Sequence, residues 1–204
     1  LFADDELMER FVLKGGNALD LIHQASTRAS LDIDLSMADD FEAGTLIEVR
    51  GKIERNLQQT FRPEGYEPFD ITLMAQPKNL APELTGFWGG YRMEFKLIDS
   101  TRFAELSQDW PVLQRNAMNL GQKGKIQVDI SKCEYTVPKK RHDLEGYTIY
   151  VYTPAMIVGE KLRAICQQMP EYAKQMNKAQ KQRARDFLDI HSLIERFSLD
   201  MTSG

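Results

Sequence analysis

The sequence lacks the features that define several large classes of protein. No apolar run approaches the ~20 residues of a membrane-spanning helix, and nothing at the start is typical of a signal peptide. The two cysteines, Cys133 and Cys166, give neither a disulfide framework nor a Cys-x-x-Cys metal site. A net charge of −4 argues against a generally basic coat for nucleic acid. We therefore expect a cytoplasmic protein that makes no contact with a membrane.

The composition is that of an ordinary globular chain of one or two compact units, with 42% hydrophobic and 27% charged residues in 204. Apolar periodicity predicts an α/β (α+β) protein, a mixed sheet with flanking helices followed by a helical region. We expect strands ending at Leu13 and spanning 28–36, Phe69–Ala75, Tyr91–Leu97, 125–131 and Tyr147–Tyr152, and helices over 39–61, 101–120 with a break at Pro111, Pro154–Met169 and Arg183–Phe197.

Apolar spacing also predicts which side chains of these elements share a buried face. The predicted sets are Phe69, Ile71, Leu73 and Ala75 on the first long strand; Val158, Leu162, Ile165 and Met169 on the helix that begins at Pro154; and Phe187, Ile190, Ile194 and Phe197 on the last helix.

Residues 28–36 carry two carboxylates that alternate with aliphatic side chains. Because successive side chains on a strand point to opposite faces, Asp32 and Asp34 project together, roughly 7 Å apart at their α-carbons. Adjacent like charges repel unless a cation lies between them, and hard cations such as Mg²⁺ take carboxylate oxygens and bridge to phosphates. The pattern favours phosphoryl transfer, although a solvated strand face is the ordinary interpretation of an isolated Asp-x-Asp.

The segment before that strand has the pattern of a phosphate-binding turn. A short apolar run ends at Lys14 and is followed by Gly15, Gly16 and a helical pattern from Ala18 onward. Glycines permit a positive φ and a close approach of the backbone to a ligand, and the free N–H groups of a first helical turn attract anions. A phosphate cradle beside a metal site would serve nucleotide binding.

A third carboxylate, Asp129, lies on the strand predicted at 125–131. Ile126, Val128 and Ile130 take one face of that strand and leave Asp129 on the other. If this strand lies beside the Asp-x-Asp strand, three carboxylates meet, enough to hold two metal ions roughly 3.5 to 4 Å apart. Asp129 would then be the general base for the attacking hydroxyl. A single Asp on a strand is otherwise an ordinary solvent-facing residue.

In this order, these residues resemble the AbiEii/AbiGii family of nucleotidyltransferase toxins, within the DNA polymerase beta-like nucleotidyltransferase superfamily. The resemblance runs from about residue 12 to 194. It rests on Lys14-Gly-Gly-x-Ala-Leu, Arg28-x-Ser30-x-Asp32-Ile-Asp34-Leu, Lys125-Ile-Gln-Val-Asp129-Ile-Ser131, Tyr150-Val-Tyr-Thr-Pro154 with Glu160-Lys161-Leu-x-Ala164, and Arg183-x-Arg185-Asp186-Phe-x-Asp189-Ile. One position departs from the family pattern, because Asn17 follows the glycine pair where Ser or Thr is usual; its amide can still donate to a phosphate.

The resemblance implies a nucleotidyltransferase domain over residues 1–152 and a helical region over 153–204 that completes the nucleotide site. It implies an NTP substrate and Mg²⁺ or Mn²⁺. The metal ligands would be Asp32, Asp34 and Asp129, the further catalytic residues Lys161 and Asp186, and the nucleotide-binding residues Lys14, Gly15, Gly16, Asn17 and Ser30.

Lys161 has two interpretations. As a structural residue, it lies beside the apolar stripe of its helix, with its aliphatic stem packed on the edge of the core and its ammonium group in water. As a functional residue, which the resemblance favours, it reaches the nucleotide where negative charge develops during transfer. Asp186 would orient Lys161 or the nucleotide sugar, whereas we expect Asp189 to pair with Arg185 or Arg196, which lie near it in sequence.

The resemblance further implies the toxin of a bacterial toxin–antitoxin or phage abortive-infection system, with a cognate antitoxin as a partner. Basic residues at 139–142 and from Lys174 to Arg185 form either a solvated face or a groove for RNA phosphates, so a tRNA end is an expected acceptor. Two alternatives stay open: a non-catalytic nucleotide-binding or scaffold protein of the same fold, and a metal-dependent nuclease.

Overall fold

The computed structural model describes residues 1–25, 32–120, 124–175 and 182–200, apart from the side chains of 173–175. The helices are α1 Asp5–Arg10, α2 Gly15–Asn17 continued by a π turn over Ala18–Ile22, α3 Leu46–Phe61, α4 Ser100–Leu106, α5 Trp110–Arg115, α6 Pro154–Cys166, α7 Pro170–Gln175 and α8 Ala184–Phe197, with 3₁₀ turns at Arg62–Glu64 and Pro82–Leu84. The strands are β1 Val12–Lys14, β2 Ile33–Ser36, β3 Tyr66–Gln76, β4 Gly90–Asp99, β5 Ile126–Ser131, β6 Lys140–Leu144 and β7 Tyr147–Val151.

The seven strands form one mixed sheet in the order β3-β4-β5-β2-β1-β7-β6. β2 pairs with β5 and β1 with β7 in parallel, and the remaining neighbours are antiparallel. The predicted α/β class, a mixed sheet with flanking helices, is confirmed. Within the described residues, no helix has both the length and the apolar character that a membrane span requires.

One large buried cluster joins the sheet to the helices. It contains Leu35, Met93 and Val128 from neighbouring strands of the sheet. Ile157 and Val158 of α6 and Leu193 of α8 belong to the same cluster, so these helices pack on the sheet through apolar side chains. A smaller cluster forms on the other side of the long hairpin around Phe69, Ile98 and Leu113.

Two predicted helix boundaries are wrong for identifiable reasons. The helix predicted over 39–61 begins only at Leu46, because Gly44 has φ +86° and interrupts helical geometry before it. The helix predicted over 101–120 with a break at Pro111 is indeed broken into two helices, α4 and α5, but the break lies just before Pro111, at 107–109, and α5 ends at Arg115. Asp109 caps the second by accepting a hydrogen bond from the backbone N–H of Val112, and Pro111 lies in its first turn.

The prediction that Phe69 and Ile71 share a face is also wrong. β3 and β4 change register between Phe69 and Thr72, and Asp70 adopts φ +54° at this bulge. An extra residue in a strand reverses the alternation beyond it. Phe69 therefore packs in the small cluster, whereas Ile71 and Leu73 face the main core.

The predicted apolar stripes of α6 and α8 are shifted. Leu162 and Met169, expected in the core, are exposed, and α6 buries Ile157 beside Val158 instead. Phe187 of α8 is 59% exposed, while Leu193 is fully buried. Both helices have apolar side chains on more than one face, so spacing alone did not identify the side that contacts the sheet.

The strand β6 was not predicted. Its sequence, Lys-Arg-His-Asp-Leu, has no apolar alternation, yet it pairs antiparallel with β7 from Lys140 to Leu144. β6 is the last strand of the sheet, where charged side chains are common because they discourage pairing with other chains.

Candidate active site

Four charged side chains lie opposite one another on four adjacent strands of the sheet. Lys14 on β1 pairs in register with Asp34 on β2, Asp34 with Asp129 on β5, and Asp129 with Arg92 on β4. We call these four residues the charged row. Strand alternation explains their common face, because the apolar neighbours of the two aspartates, such as Leu35 and Val128, are buried in the core.

Lys14 forms the buried end of the charged row. Its Nζ donates to Oε1 of Glu160 at 2.8 Å and to Oγ of Ser131 at 3.1 Å, and the residue is only 5% exposed. Burial alone would lower the pKa of Lys14, but the attraction of Glu160 outweighs it and holds that pKa above its ordinary value. Lys14 is therefore a buried cation that ties α6 to the strands.

Gly15 brings the backbone into contact with Asp34. It follows β1 directly with φ +65°, so the chain turns from strand to helix within one residue. A Cβ at Gly15 would lie 2.4 Å from Oδ2 of Asp34. Only glycine fits both the backbone angle and this contact, which confirms the predicted strand, tight turn and helix.

Asp34 is a largely buried carboxyl group with both a lysine and other carboxylates near it. Burial is the main cause that raises its pKa to about 6. Lys14 acts in the opposite direction, while the nearby carboxylates of Glu160, Asp129 and Asp32 add to the increase. An additional cation at this position would therefore be stabilised.

Asp129 is held at the open end of the charged row. Nε and Nη2 of Arg92 donate to its two carboxylate oxygens at 2.8 and 3.2 Å, and Nε2 of Gln127 donates to one of them at 2.9 Å. The side chains of Arg92 and Asp129 are 37% and 36% exposed. This bidentate pair is strong in geometry but remains accessible to water and ions.

Asp32 precedes β2 and its main chain is fixed by Asn17. The amide nitrogen of Asn17, which is buried, donates to the carbonyl oxygen of Asp32 at 2.7 Å. Among the described residues, no three His, Cys, Asp or Glu side chains are placed to hold a metal ion. The predicted three-carboxylate metal site therefore stays a prediction, with two of its members in register and the third close enough to affect Asp34.

Lys161 lies between two carboxylates of α8. Its Nζ donates to Oδ2 of Asp189 at 2.7 Å and to Oδ1 of Asp186 at 3.1 Å, while Arg183 donates to the other oxygen of Asp186 at 3.3 Å. Burial would lower the pKa of Lys161, but the two carboxylates raise it above its ordinary value. The expected pairing of Asp189 with Arg185 or Arg196 is corrected, because α6 and α8 pack together.

A cleft of about 300 Å³ joins these groups. Its lining comprises Lys14, Gly15, Gly16, Asp34, Ser131, Ile157, Glu160, Lys161, Ala164, Arg183 and Asp186. The cleft is thus bounded by the glycine pair, by one carboxylate of the charged row and by the ionic cluster between α6 and α8.

Six of the ten predicted site residues line this cleft: Lys14, Gly15, Gly16, Asp34, Lys161 and Asp186. Asp32, Asp129 and Asn17 lie outside its lining, and Asn17 uses its amide on Asp32. Ser30 lies outside the described residues.

Sequence reasoning assigned no role to Glu160, Ser131 or Arg92. Glu160 and Ser131 contact Lys14 from positions more than a hundred residues away in the chain, a separation that periodicity cannot detect. For Arg92 a signal existed, because alternation along β4 places it away from the core. Its partner Asp129 required knowledge of which strands are neighbours.

Comparisons with known proteins are specific at the level of the family. A family model described as "Nucleotidyl transferase AbiEii toxin, Type IV TA system" matches residues 1–203. No curated protein is similar enough to the chain to count as a match. Among solved structures, the chain is similar to an antigenic nucleotidyltransferase-like protein from Paracoccidioides brasiliensis, with 14% identity and a TM-score of 0.45 over 91% of this chain and 67% of that one.

Proposed function

The chain belongs to the AbiEii nucleotidyl transferase toxin family of type IV toxin–antitoxin systems, and from this premise we propose that it transfers a nucleoside monophosphate from an NTP to a hydroxyl of RNA, such as a tRNA end. The toxin would act in the cytoplasm, and a cognate antitoxin would oppose it. Membership of the family itself implies the NTP substrate and the antitoxin.

The observation that carries the proposal is the composition of the cleft. Asp34, the glycine pair and the Lys161–Asp186 pair line the same cavity. A triphosphate in this cavity would meet backbone N–H groups near Gly15 and Gly16 and the cations Lys161 and Arg183. Asp34 would lie beside the same phosphates. Because the carboxylate and the phosphates are both negative, they can lie this close only if a cation binds between them.

A divalent cation, Mg²⁺ or Mn²⁺, fits the donor groups available. Asp34, Asp32 and Asp129 offer hard carboxylate oxygens, and burial together with the nearby carboxylates raises the pKa of Asp34, which a bound cation would lower again. When bound, such a cation supplies neutralisation of phosphate oxygens and acidifies the acceptor hydroxyl. These three residues would hold it after their side chains converge and Arg92 leaves Asp129.

In the proposed step, Asp129 takes the proton of the acceptor hydroxyl as the hydroxyl oxygen bonds to the α-phosphorus of the NTP. The bond from the α-phosphorus to the β-phosphate oxygen breaks, and pyrophosphate leaves. Lys161, oriented by Asp186 and Asp189, stabilises the negative charge that develops. In the structure, the guanidinium of Arg92 occupies both carboxylate oxygens of Asp129. Arg92 must therefore release Asp129 before Asp129 can accept the proton.

The test is incubation of the purified protein with total bacterial RNA, Mg²⁺ and each α-labelled NTP in turn. Wild type should place label on a discrete RNA species, whereas Asp34→Asn and Lys161→Met should lose at least about a hundredfold of the rate. Lys52→Met, which changes a lysine paired with Asp4 and Glu6 away from the cleft, is the matched control and should keep the activity.

Two results would contradict the proposal. RNA that is shortened without gaining label would indicate a metal-dependent nuclease that uses water in place of an acceptor hydroxyl. NTP binding without transfer to any RNA, protein or small-molecule fraction would indicate a nucleotide-binding scaffold.

A further inference from the structure

A second cavity, of about 410 Å³, adjoins the nucleotide cleft and shares Glu160 with it. It lies between α6 and the segment 134–138 that follows β5. Its lining is mainly apolar and includes Tyr135, Pro138, Tyr152, Met156, Gly159 and Arg163. We call it the second cavity, and none of the residues in this short list has a role in the mechanism proposed above.

We propose that the second cavity binds the terminal nucleobase of the acceptor RNA, an inference that rests on the proposed transfer to RNA. Bases that are free of a duplex are held by stacking on aromatic rings and on arginine planes. Tyr135 is 71% exposed at this cavity. Arg163 is fixed in place because its two terminal nitrogens each donate to Glu134 at 3.0 Å.

The second cavity is rigid on one side and open on the other. The hydroxyl of Tyr152, at the end of β7, donates to Oγ of the buried Ser36 at 2.9 Å, so this ring is fixed to the sheet. On α6, a Cβ added to Gly159 would meet no atom within 4 Å. The cavity therefore has free space beside the helix, which a flat ligand can enter without displacing protein atoms.

The position of the second cavity suits an acceptor strand. β5 carries Asp129, Ser131 at its end lines the nucleotide cleft, and Glu134 and Tyr135 follow in the next turn of the chain. Glu160 of α6 lines both cavities. A strand whose last base occupies the second cavity would thus present its sugar hydroxyls toward the cleft.

Basic side chains near the second cavity favour the base of an RNA strand over the base of a free NTP as its ligand. Lys140, the first residue of β6, follows Pro138 of the second cavity's lining by two residues and pairs with Val151, the residue before Tyr152 of the same lining. Lys140 and Arg141 are exposed. Cations on the surface beyond a base site attract the phosphates of a continuing strand, which a free NTP does not have there.

The decisive variant is Gly159→Leu, whose Cβ meets no atom within 4 Å, so that the side chain can occupy space in the second cavity, and which replaces a helical glycine by a better helix former. The probes are a 5′-labelled bacterial tRNA and the same tRNA with an abasic 3′-terminal nucleotide. Gly159→Leu should weaken binding of the intact tRNA about tenfold, the loss expected for one stacked base. It should leave NTP affinity within about twofold and the melting temperature unchanged or higher.

Binding of the abasic tRNA tests whether Gly159→Leu and the loss of the terminal base remove the same contact. Wild type should bind it about tenfold more weakly than intact tRNA, and Gly159→Leu should show no further difference between the two probes. Tyr135→Ala should repeat the loss. Gly51→Leu, a glycine of α3 with ordinary space around its Cβ, is the matched control and should bind like wild type.

Unchanged tRNA affinity in Gly159→Leu would overturn the inference, and so would a loss confined to NTP binding, because the cavity would then hold the base of the NTP. Wild-type protein that transfers nucleotide to a protein and binds no RNA would overturn the RNA acceptor itself. Wild-type protein that binds RNA equally well with and without the terminal base would overturn only the second cavity's role.

Discussion

The two ends of the charged row hold their carboxylates in different ways. At one end, Lys14 is buried and bonded to Glu160 and Ser131, which come from other parts of the chain. At the other end, the Arg92 side chain is more than one third exposed, and its two bonds go to the carboxylate oxygens of Asp129 itself.

This difference separates a cation that belongs to the framework from one that can be exchanged. Removing Lys14 leaves Glu160 and Asp34 without their positive neighbour in a buried region, which is costly. Releasing Arg92 moves a guanidinium into water, which costs little. We infer that the Lys14 end fixes α6 over the sheet, while the Arg92 end is where a divalent cation can gain access to Asp129.

The largest effect is expected for Lys14→Met. Breaking a buried ion pair by removing one partner costs about 3–5 kcal/mol of folding free energy, because Glu160 remains charged without a partner. Urea unfolding measures the loss. Lys52→Met removes an ion pair with Glu6, whose side chain is 64% exposed, and should change stability much less. Equal losses in the two variants would show that Lys14 is not a framework cation.

The next largest effect is expected for Gly15→Ala. The added Cβ would lie 2.4 Å from Oδ2 of Asp34, and the backbone would keep φ +65°. Gly65→Ala is a matched control, since Gly65 has φ +84° but nothing within 4 Å of an added Cβ. Both variants should lose about 1–2 kcal/mol from backbone strain, and Gly15→Ala should lose more than Gly65→Ala because the side chain of Asp34 must also move. Gly15→Ala alone should also lose NTP affinity, and equal NTP affinity in the two variants would contradict the contact.

The charged row also shows how far the sequence predicts this site. Alternation along β2 and β5 correctly placed Asp34 and Asp129 away from the core, and the glycine pair correctly marked the turn after β1. Local patterns contain no information on neighbours that come from distant segments. For this reason the pairing of Lys14 with Glu160 was not predicted, and Asp189 was assigned a local partner although it bonds to Lys161. The nucleotide-binding role of Lys14 stays a prediction.

For the fold, too, the elements with a clear local pattern were predicted correctly, and those without one were not. Strands with clean alternation, β4 and β5, were found, because one face is buried and the other is polar. β6 was missed because an edge strand needs no apolar face. The bulge at Asp70 reversed the predicted face of Phe69, since a single inserted residue leaves no sequence signal in the alternation.

A smaller and pH-dependent effect is expected for Asp34→Asn in the presence of a chelator. The pKa of Asp34 is about 6 in the folded protein, above the ~3.9 of an unfolded chain. The wild type therefore loses stability relative to the variant as pH rises from about 4 to 6, by on the order of 2 kcal/mol. Thermal unfolding of both proteins at pH 4 and 7.5 measures this. A difference that is the same at both pH values would contradict the raised pKa of Asp34.

The smallest effect on stability is expected for Arg92→Gln, below about 1 kcal/mol, because the pair is partly exposed. The variant should bind Mn²⁺ severalfold more tightly, since Asp129 no longer carries a competing cation. Arg62→Gln removes a bidentate pair with Glu67 that lies away from the charged row, and should leave Mn²⁺ affinity unchanged. Calorimetric titration with Mn²⁺ compares the two. Equal affinities would show that Arg92 does not compete with the metal.

The most direct test of the account is a crystal structure of the protein with Mn²⁺ and a non-hydrolysable NTP analogue. We expect a triphosphate between the Gly15–Gly16 turn and Lys161, with the cation bound to Asp34 and Asp129 and with Arg92 turned away from Asp129. A nucleotide bound elsewhere, or a cation that leaves the Arg92–Asp129 pair intact, would contradict it.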